Sequence, residues 1–320
     1  SNGKRRASMI EFFHTDEESR SLTKLDTEQP GCWIALFEPT AEELADVAER
    51  FAIDADDLRA PLDLEEVSRI ETGPAYTMFI VDTPIRDKSL GDLSYKTIPI
   101  AIFETRDHVV SVCSVYKVPI VARLMTARGL HDTGDIKGFT CDILMASSAV
   151  YFALLQTLNH RRIELNAVTT KPTRGDLEEL YSLDASLVYM KTSLATNNGV
   201  FERYQRRMTP SYSEEDFERF DDVVVENRQA LETTNLYSEI LDSTIDHFGL
   251  IMDYDLNHTM QLVATITLVL CVPTIVGGFF GMNLLGIPLA ELPYGFAIVT
   301  GLTVVVLAAL LLALKKLKWF

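Results

Sequence analysis

Hydrophobic positions fall into three rhythms along the chain. In the first third, runs such as CWIALF, YTMFIVDTPI, KTIPIAIFET and HVVSVCSV are short, β-branched and bounded by Gly, Pro, Asp or Asn, which predicts strands. The stretches AEELADVAERFA and DADDLRAPLD among them read as helices. Thr140 to Leu165 and Gly175 to Tyr204 predict two more helices, with TTKPTRG as the turn between them. The second rhythm runs from Ser211 to Asp255. Apolar residues recur in steps of three and four at Phe217, Phe220, Val224, Leu231, Leu241, Ile245, Phe248 and Met252, with Asn227, Thr234 and Ser238 between. Apart from Gly249, no Gly or Pro interrupts Ser211 to Val272, so a single helix of about 70 residues is expected, roughly 100 Å at 1.5 Å per residue. A helix that long with an apolar seam wants partners, and self-association follows.

The third rhythm is continuous. Met260 to Ala290 carries no charge, and Tyr294 to Leu314 (YGFAIVTGLTVVVLAALLLAL) is apolar again. About 20 such residues cross a bilayer core as a helix. Between the runs lies LLGIPLAELP without a basic residue, and after them KKLKWF, three lysines with an aromatic anchor. The lysine bias places the C-terminus in the cytoplasm, and two spans then return the N-terminal body to the same side. The expected organisation is a remnant outside the fold (1–8), a cytosolic α/β domain (9–139), a helical hairpin (140–210) and a stalk helix (211–256). A first membrane helix (257–283), an external loop (284–293), a second membrane helix (294–314) and a basic cytosolic tail (315–320) complete it. The fold class is thus an α/β domain with a long helical stalk that continues into a two-helix transmembrane region.

Charge sharpens this division. The formal net charge is −17, but Leu256 to Leu314 holds one acidic residue, Glu291, and no Lys or Arg. Residues 1–255 therefore carry a net of −19, an acidic body on an uncharged hairpin. Such a balance argues against nucleic acid, whose recognition depends on clustered Lys and Arg. The cysteines at 32, 113, 141 and 271 form no CxxC pair and no cluster with histidine, so free, buried thiols in a reducing compartment are expected. SNGKRRASMIEFF has basic residues with no apolar core behind them, so no secretory leader is read there. The six histidines are scattered, and no nucleophile motif, phosphate loop or metal triad is legible; an enzyme is the least favoured class.

Candidate chemistry concentrates in PTIVGGFFGMN, from Pro273 to Asn283. Gly277 and Gly281 have the small-xxx-small spacing of packed membrane helices. A longer pattern accompanies it. Asn257, Met260, Val263 or Ala264, Thr267, Cys271, Thr274 and Gly278 recur at three- and four-residue steps, an uncharged stripe fit to line a narrow path at an oligomer axis. Lacking charge, it suits a hydrated cation rather than a bare one, and Mg²⁺ gives up its water reluctantly. Asparagine oxygens and helix-end carbonyls accept hydrogen bonds from such waters, and Pro273 leaves the Val269 carbonyl without its donor. A divalent ion crossing about 100 mV gains roughly 4.6 kcal/mol.

The Gly281-Met282-Asn283 triplet at the outer end of the first span, Glu291 in the short loop and the Lys-rich finish ending in Trp-Phe closely resemble the CorA family of magnesium transporters. The specific match covers about the last 65 residues. The resemblance implies a homopentamer in the cytoplasmic membrane with a cytosolic funnel, in which Asn283 forms an outer ring selecting hydrated Mg²⁺ and Gly281 and Met282 shape its backbone. Asn257 matches the asparagine at the cytosolic mouth, and Met260, Val263, Cys271, Thr274 and Gly278 match pore-lining places. Val263 and Cys271 stand where large Leu and Met side chains usually make the constriction. By position, Asp87 in IRDKSL and Asp222 on the stalk (or Asp221) match a regulatory pair whose carboxylates are bridged by Mg²⁺ in the closed state. Glu291 would concentrate cations at the outer mouth. Transport of Co²⁺, Ni²⁺ or Zn²⁺ by the same architecture, and a non-conducting membrane-anchored sensor, stand as alternatives.

Overall fold

The run WIALF is apolar at every position, and a strand of this kind must be covered on both faces. The computed structural model describes residues 9–16, 21–87, 93–116, 118–127, 132–168, 172–208, 212–282, 287–289 and 292–316. In it, β1 (Ile10–Thr15), β2 (Leu22–Leu25), β3 (Trp33–Phe37), β4 (Arg69–Thr72), β5 (Thr77–Arg86), β6 (Tyr95–Glu104) and β7 (Val109–Cys113) form one sheet. The strand order is β2-β1-β3-β7-β6-β5-β4, with β3 and β7 parallel and the other pairs antiparallel. Because side chains alternate across a strand, each strand feeds two cores. Trp33, Ala35, Phe37, Phe79, Val81, Ile100 and Ile102 join one cluster. Their sequence neighbours Ile34, Leu36, Met78, Ile80, Ala101 and Phe103 join the other, with Leu44 and Val47 of α1 (Ala41–Phe51) and Leu58 of α2 (Ala55–Arg59).

The edge strands β2 and β4, and β1 beside β2, lie outside the strand pattern read from the sequence. They are half-buried or alternately exposed, so they lack the apolar run that marks β3, β6 and β7.

The first cluster is covered by α3 (Pro119–Thr126), α4 (Ile136–Val168) and parts of α5 (Arg174–Gln205) and α6 (Glu214–Phe280). Phe139, Ile143 and Leu144 of α4 and Phe201 of α5 are buried in it. Trp33 is ringed by Phe13 at 5.0 Å and Phe139 at 5.6 Å between centroids, within the range of favourable aromatic pairs.

Helix α5 meets the sheet differently. Ser182, Ser186, Ser193 and Asn197 lie in helical steps on one face. Ser182 and Ser94 share a hydroxyl hydrogen bond at 2.5 Å, Tyr95 N donates to the Ser186 hydroxyl at 3.0 Å, and the Ser193 hydroxyl donates to Thr97 at 2.8 Å. The Asn197 amide brackets Asp82, accepting from its N–H and donating to its carbonyl, both at 3.0 Å. The Tyr151 hydroxyl donates to the same carbonyl at 3.2 Å.

The chain divides into two compact units, Ser1–Ile245 and Asp246–Phe320. In the first unit, the buried face of α6 comprises Phe220, Val223, Val224, Asn227, Ala230, Thr234, Leu241 and Thr244. The Asn227 amide donates to the Leu194 carbonyl at 3.1 Å. Phe217, placed on this face by its spacing, is 45% exposed; it lies in the first turn, three positions before Phe220, the first buried residue of the helix. The second unit holds the rest of α6, with Pro273 inside the helix, and α7 (Gly295–Lys316). Both segments are long and apolar enough to cross a membrane, and only 6% of each apolar window is buried within the chain.

Cys32, Cys113 and Cys141 are buried and free, and burial pushes the Cys113 and Cys141 thiols up to about 12. Cys271 departs from the expectation of four buried thiols: it is free but exposed. Among the described residues, only 6% of its helix's apolar window is buried.

Candidate functional site

Along the second unit's part of α6, Asn257, Met260, Val263, Ala264, Thr267, Cys271, Thr274 and Gly278 are all exposed. Thr265, off this stripe, is buried. At the stripe's N-terminal end, Tyr254, Asn257, His258, Met260, Gln261 and Ala264 surround an open depression of about 440 Å³. The two stripe threonines are fixed: Thr267 donates to the Val263 carbonyl at 2.8 Å and Thr274 to the Leu270 carbonyl at 2.7 Å. With the hydroxyl proton spent on the helix, the oxygen lone pairs remain as acceptors. The side chains of the stripe thus present neutral acceptors and no cationic donor, which favours contact with the hydrogens of a cation's water shell. At mid-span, Pro273 supplies no N–H to the Val269 carbonyl.

At the helix end, Gly281 N donates to the Gly277 carbonyl at 2.8 Å and Met282 N to the Phe279 carbonyl at 3.4 Å, so the last turn tightens. Gly281 and Met282 are exposed. A methyl group on Gly281 would stand 3.0 Å from the Gly277 carbonyl oxygen, a close approach that only glycine makes without a shift. Asn283 and Glu291 lie outside the described residues.

The two carboxylates read as regulatory lie on different elements. Asp87 follows β5; its N–H donates to the Ser94 carbonyl at 2.7 Å, and its carboxylate is 3.9 Å from the Lys96 ammonium. Asp222 is exposed on α6, at a groove of about 420 Å³ shared with Arg123, Asp142 and Arg219. Asp221 is engaged by Gln205, whose amide donates to it at 2.6 Å. Both neighbours are exposed, and the bond from Gln205 ties Asp221 to α5. Among the described residues, no group of three or more His, Cys, Asp or Glu is arranged to hold a metal ion.

Other acidic runs have local duties beyond solvation. In EEDFERFDD, Asp216 accepts from Ser213 N at 3.1 Å and donates its own N–H to the Ser213 hydroxyl at 3.0 Å, the reciprocal cap of a helix start. Burial opposes ionisation of Asp216, but these bonds and Lys137 outweigh it and hold the carboxyl below its usual range. In DLEEL, Asp176 makes the same cap with Thr173, and Glu179 accepts two bonds from Arg161 at 2.6 and 3.0 Å.

One titratable group escaped the sequence reading. Glu104, at the end of β6, is pushed up to about 7, chiefly by burial. Thr140 and Lys137 lower it, and Asp216 and Asp135 raise it. Glu104 follows the apolar run Ile98–Phe103 at the end of the strand, so nothing in the sequence distinguishes it from a solvent-facing terminal residue.

A family model described as CorA-like Mg²⁺ transporter protein matches residues 28–316. The cobalt/magnesium transport protein CorA of Methanocaldococcus jannaschii is 26% identical over 296 residues, covering 90% of this chain and 90% of that one. The cobalt/magnesium transport protein CorA of Thermotoga maritima is 22% identical over 318 residues, covering 97% and 88%. Among solved structures, the complete CorA magnesium transporter from Methanocaldococcus jannaschii superposes with a TM-score of 0.81 at 24% identity, covering 98% of this chain and all of that one. The family match spans β3 to β7, the long helix and both apolar segments, so the chain belongs to the CorA-like Mg²⁺ transporter family.

Proposed function

We propose that this chain conducts hydrated Mg²⁺ into the cell along the exposed stripe of α6, as a homopentamer in the cytoplasmic membrane with both termini in the cytosol. The observation that carries this reading is the stripe itself. From Asn257 to Gly278 it is uncharged and exposed, with threonine hydroxyl protons turned back onto the helix. Five such faces around an axis would give a path of acceptor oxygens interrupted by Met260, Val263 and Cys271 as the apolar places. In this reading Gly281, Met282 and Asn283 form the outer filter, and Glu291 raises the local cation concentration at the mouth. Retained water is the natural currency for Mg²⁺, which keeps much of its shell when bound by proteins. Both curated relatives are named cobalt/magnesium transport proteins, which supports Co²⁺ as a second cargo.

Gating is assigned to Asp87 and Asp222 of neighbouring protomers. A carboxylate pair bridged by Mg²⁺ stabilises the closed state when cytosolic Mg²⁺ is high, and repulsion releases it when the ion is scarce. The tie of Asp221 to Gln205 supports the choice of Asp222 over its neighbour.

The deciding test is Mg²⁺ uptake into dye-loaded proteoliposomes at an inside-negative potential, native chain against Asn283→Ala. Potential-driven uptake lost in the variant establishes conduction through the asparagine ring. Silence of a folded, correctly oriented native protein with internal Mg²⁺ chelated sinks the transport reading and favours the membrane-anchored sensor. For gating, Asp222→Asn is expected to leave uptake running at millimolar internal Mg²⁺ where the native protein closes.

A further inference from the structure

Away from α6's exposed stripe, the first unit carries a concentration of positive charge that the net charge of −17 conceals. A groove of about 740 Å³ runs between the edge strand β4 and the C-terminal end of α5. Arg69, Arg203 and Arg207 line it, with Ile70, Val200 and Met208 as an apolar wall. Arg69 is neutralised by Glu66 and by Glu71, whose oxygen is 2.7 Å from Nε; Glu71 is the carboxylate in the groove. The other two are not. Arg203 gives its Nε proton to the Gly199 carbonyl at 2.9 Å, and among the described residues neither its Nη groups nor Arg207 has a carboxylate partner. The neighbouring Arg206, by contrast, is paired with Glu202 at 3.6 Å.

An arginine with a free fork is built for planar, bidentate recognition of phosphate or carboxylate. Two of them facing a concavity of this size, in a chain that repels anions elsewhere, mark the place where an anion is attracted. The volume falls within the range of small-molecule sites. The apolar wall beside the arginines suits a ligand with a flat, poorly hydrated portion joined to several negative charges. We propose that this groove binds a nucleoside polyphosphate, its phosphates on Arg203 and Arg207 and its base against Ile70, Val200 and Met208. The site adjoins Tyr212, whose hydroxyl is 2.9 Å from that of Tyr204 and whose ring is 4.0 Å from the Lys137 ammonium. Lys137 in turn is 3.5 Å from Asp216 in the first turn of α6, so the ligand would sit beside the contacts that seat this helix.

The experiment is calorimetric titration of the purified full chain with ATP in excess EDTA, which silences metal-bridged binding to carboxylates. Saturable binding that weakens tenfold or more in Arg203→Ala/Arg207→Ala supports the site. The Arg203→Lys/Arg207→Lys variant keeps the charge and the stem, and is expected to lose about half of that effect on a logarithmic scale; its melting temperature controls for folding. A flat native titration, or unchanged affinity in both double variants, overturns the proposal. Equal affinity for tripolyphosphate overturns the assignment of the apolar wall to a base. Displacement of ATP by phosphatidylglycerol vesicles but not by ADP would give the groove to lipid head groups and overturn the nucleotide.

Discussion

Helices α4 and α7 each contain an 18-residue apolar window with at most two charges, yet 67% of that window is buried in α4 and 6% in α7. Composition alone nominates both as membrane spans. What separates them is the surface each meets. α4 lies on a sheet whose facing residues, from Trp33 to Ile102, are apolar and in register to receive it, and its Phe139 and Tyr151 are almost inaccessible. α7 has Phe296, Leu302 and Leu312 exposed at 88%, 62% and 68%. An apolar surface that large demands lipid or another copy of the chain. The lesson is that an apolar helix finds its solvent in whichever partner the fold offers.

The contrast can be broken most forcefully at Leu155, which is fully buried in α4. Leu155→Asp places a carboxylate in the core and is expected to cost more than about 4 kcal/mol, enough to unfold the first unit in urea titrations. Val305→Arg, at the exposed centre of α7, should leave the first unit's urea midpoint unchanged and instead cost about 3 kcal/mol in a membrane-insertion assay. A lipid-phase carbene reagent should accordingly mark 300–312 and spare 139–155; labelling of α4 would overturn the distinction.

Glu104 tests how the polar N-terminal end of α4 is accommodated. Its folded pKa of about 7 lies above the ordinary carboxyl value of 4.5, so the folded state holds the proton more tightly than the unfolded one. Stability is therefore expected to fall as pH rises from about 4.5 to about 7, by up to about 3 kcal/mol. Glu104→Gln should flatten that slope and raise the melting temperature at pH 8; a slope that persists would assign it to another group.

At the buried contact between α6 and α5, Asn227→Leu removes the side-chain bond to the Leu194 carbonyl, which keeps its helical donor, and should destabilise by about 0.5–1.5 kcal/mol. The smallest effect is expected at the two-bond pair between Arg161 of α4 and Glu179 of α5. Glu179→Gln should cost about 0.5–1 kcal/mol in denaturant at low salt and less at high salt, because this pair is partly exposed.

The central strands, the principal helices and the two C-terminal apolar segments were legible in the chain because each has a period or a length that a single physical demand imposes. The edge strands were not, since a four-residue strand such as Arg69–Thr72 carries too few positions to show alternation. Polar fastening was equally silent. Ser186 and Asn197 read as ordinary helix surface until β5 and β6 supply the backbone groups they bind. Of the candidate site, the α6 stripe was legible because its residues share one helix and recur with its period.

Hydrophobic spacing by itself determined that this chain has a sheet-bearing acidic body, a long helix and two segments fit for lipid, and the Gly-Met-Asn triplet pointed to its family. Tertiary structure alone decided that Ile136–Ala167 is core rather than span, that Gln205 of α5 ties Asp221 of α6, and that burial raises the proton affinity of Glu104. The reason is common to all three. Periodicity records a residue's own element, whereas burial, pairing and proton affinity depend on elements distant in sequence that folding brings alongside.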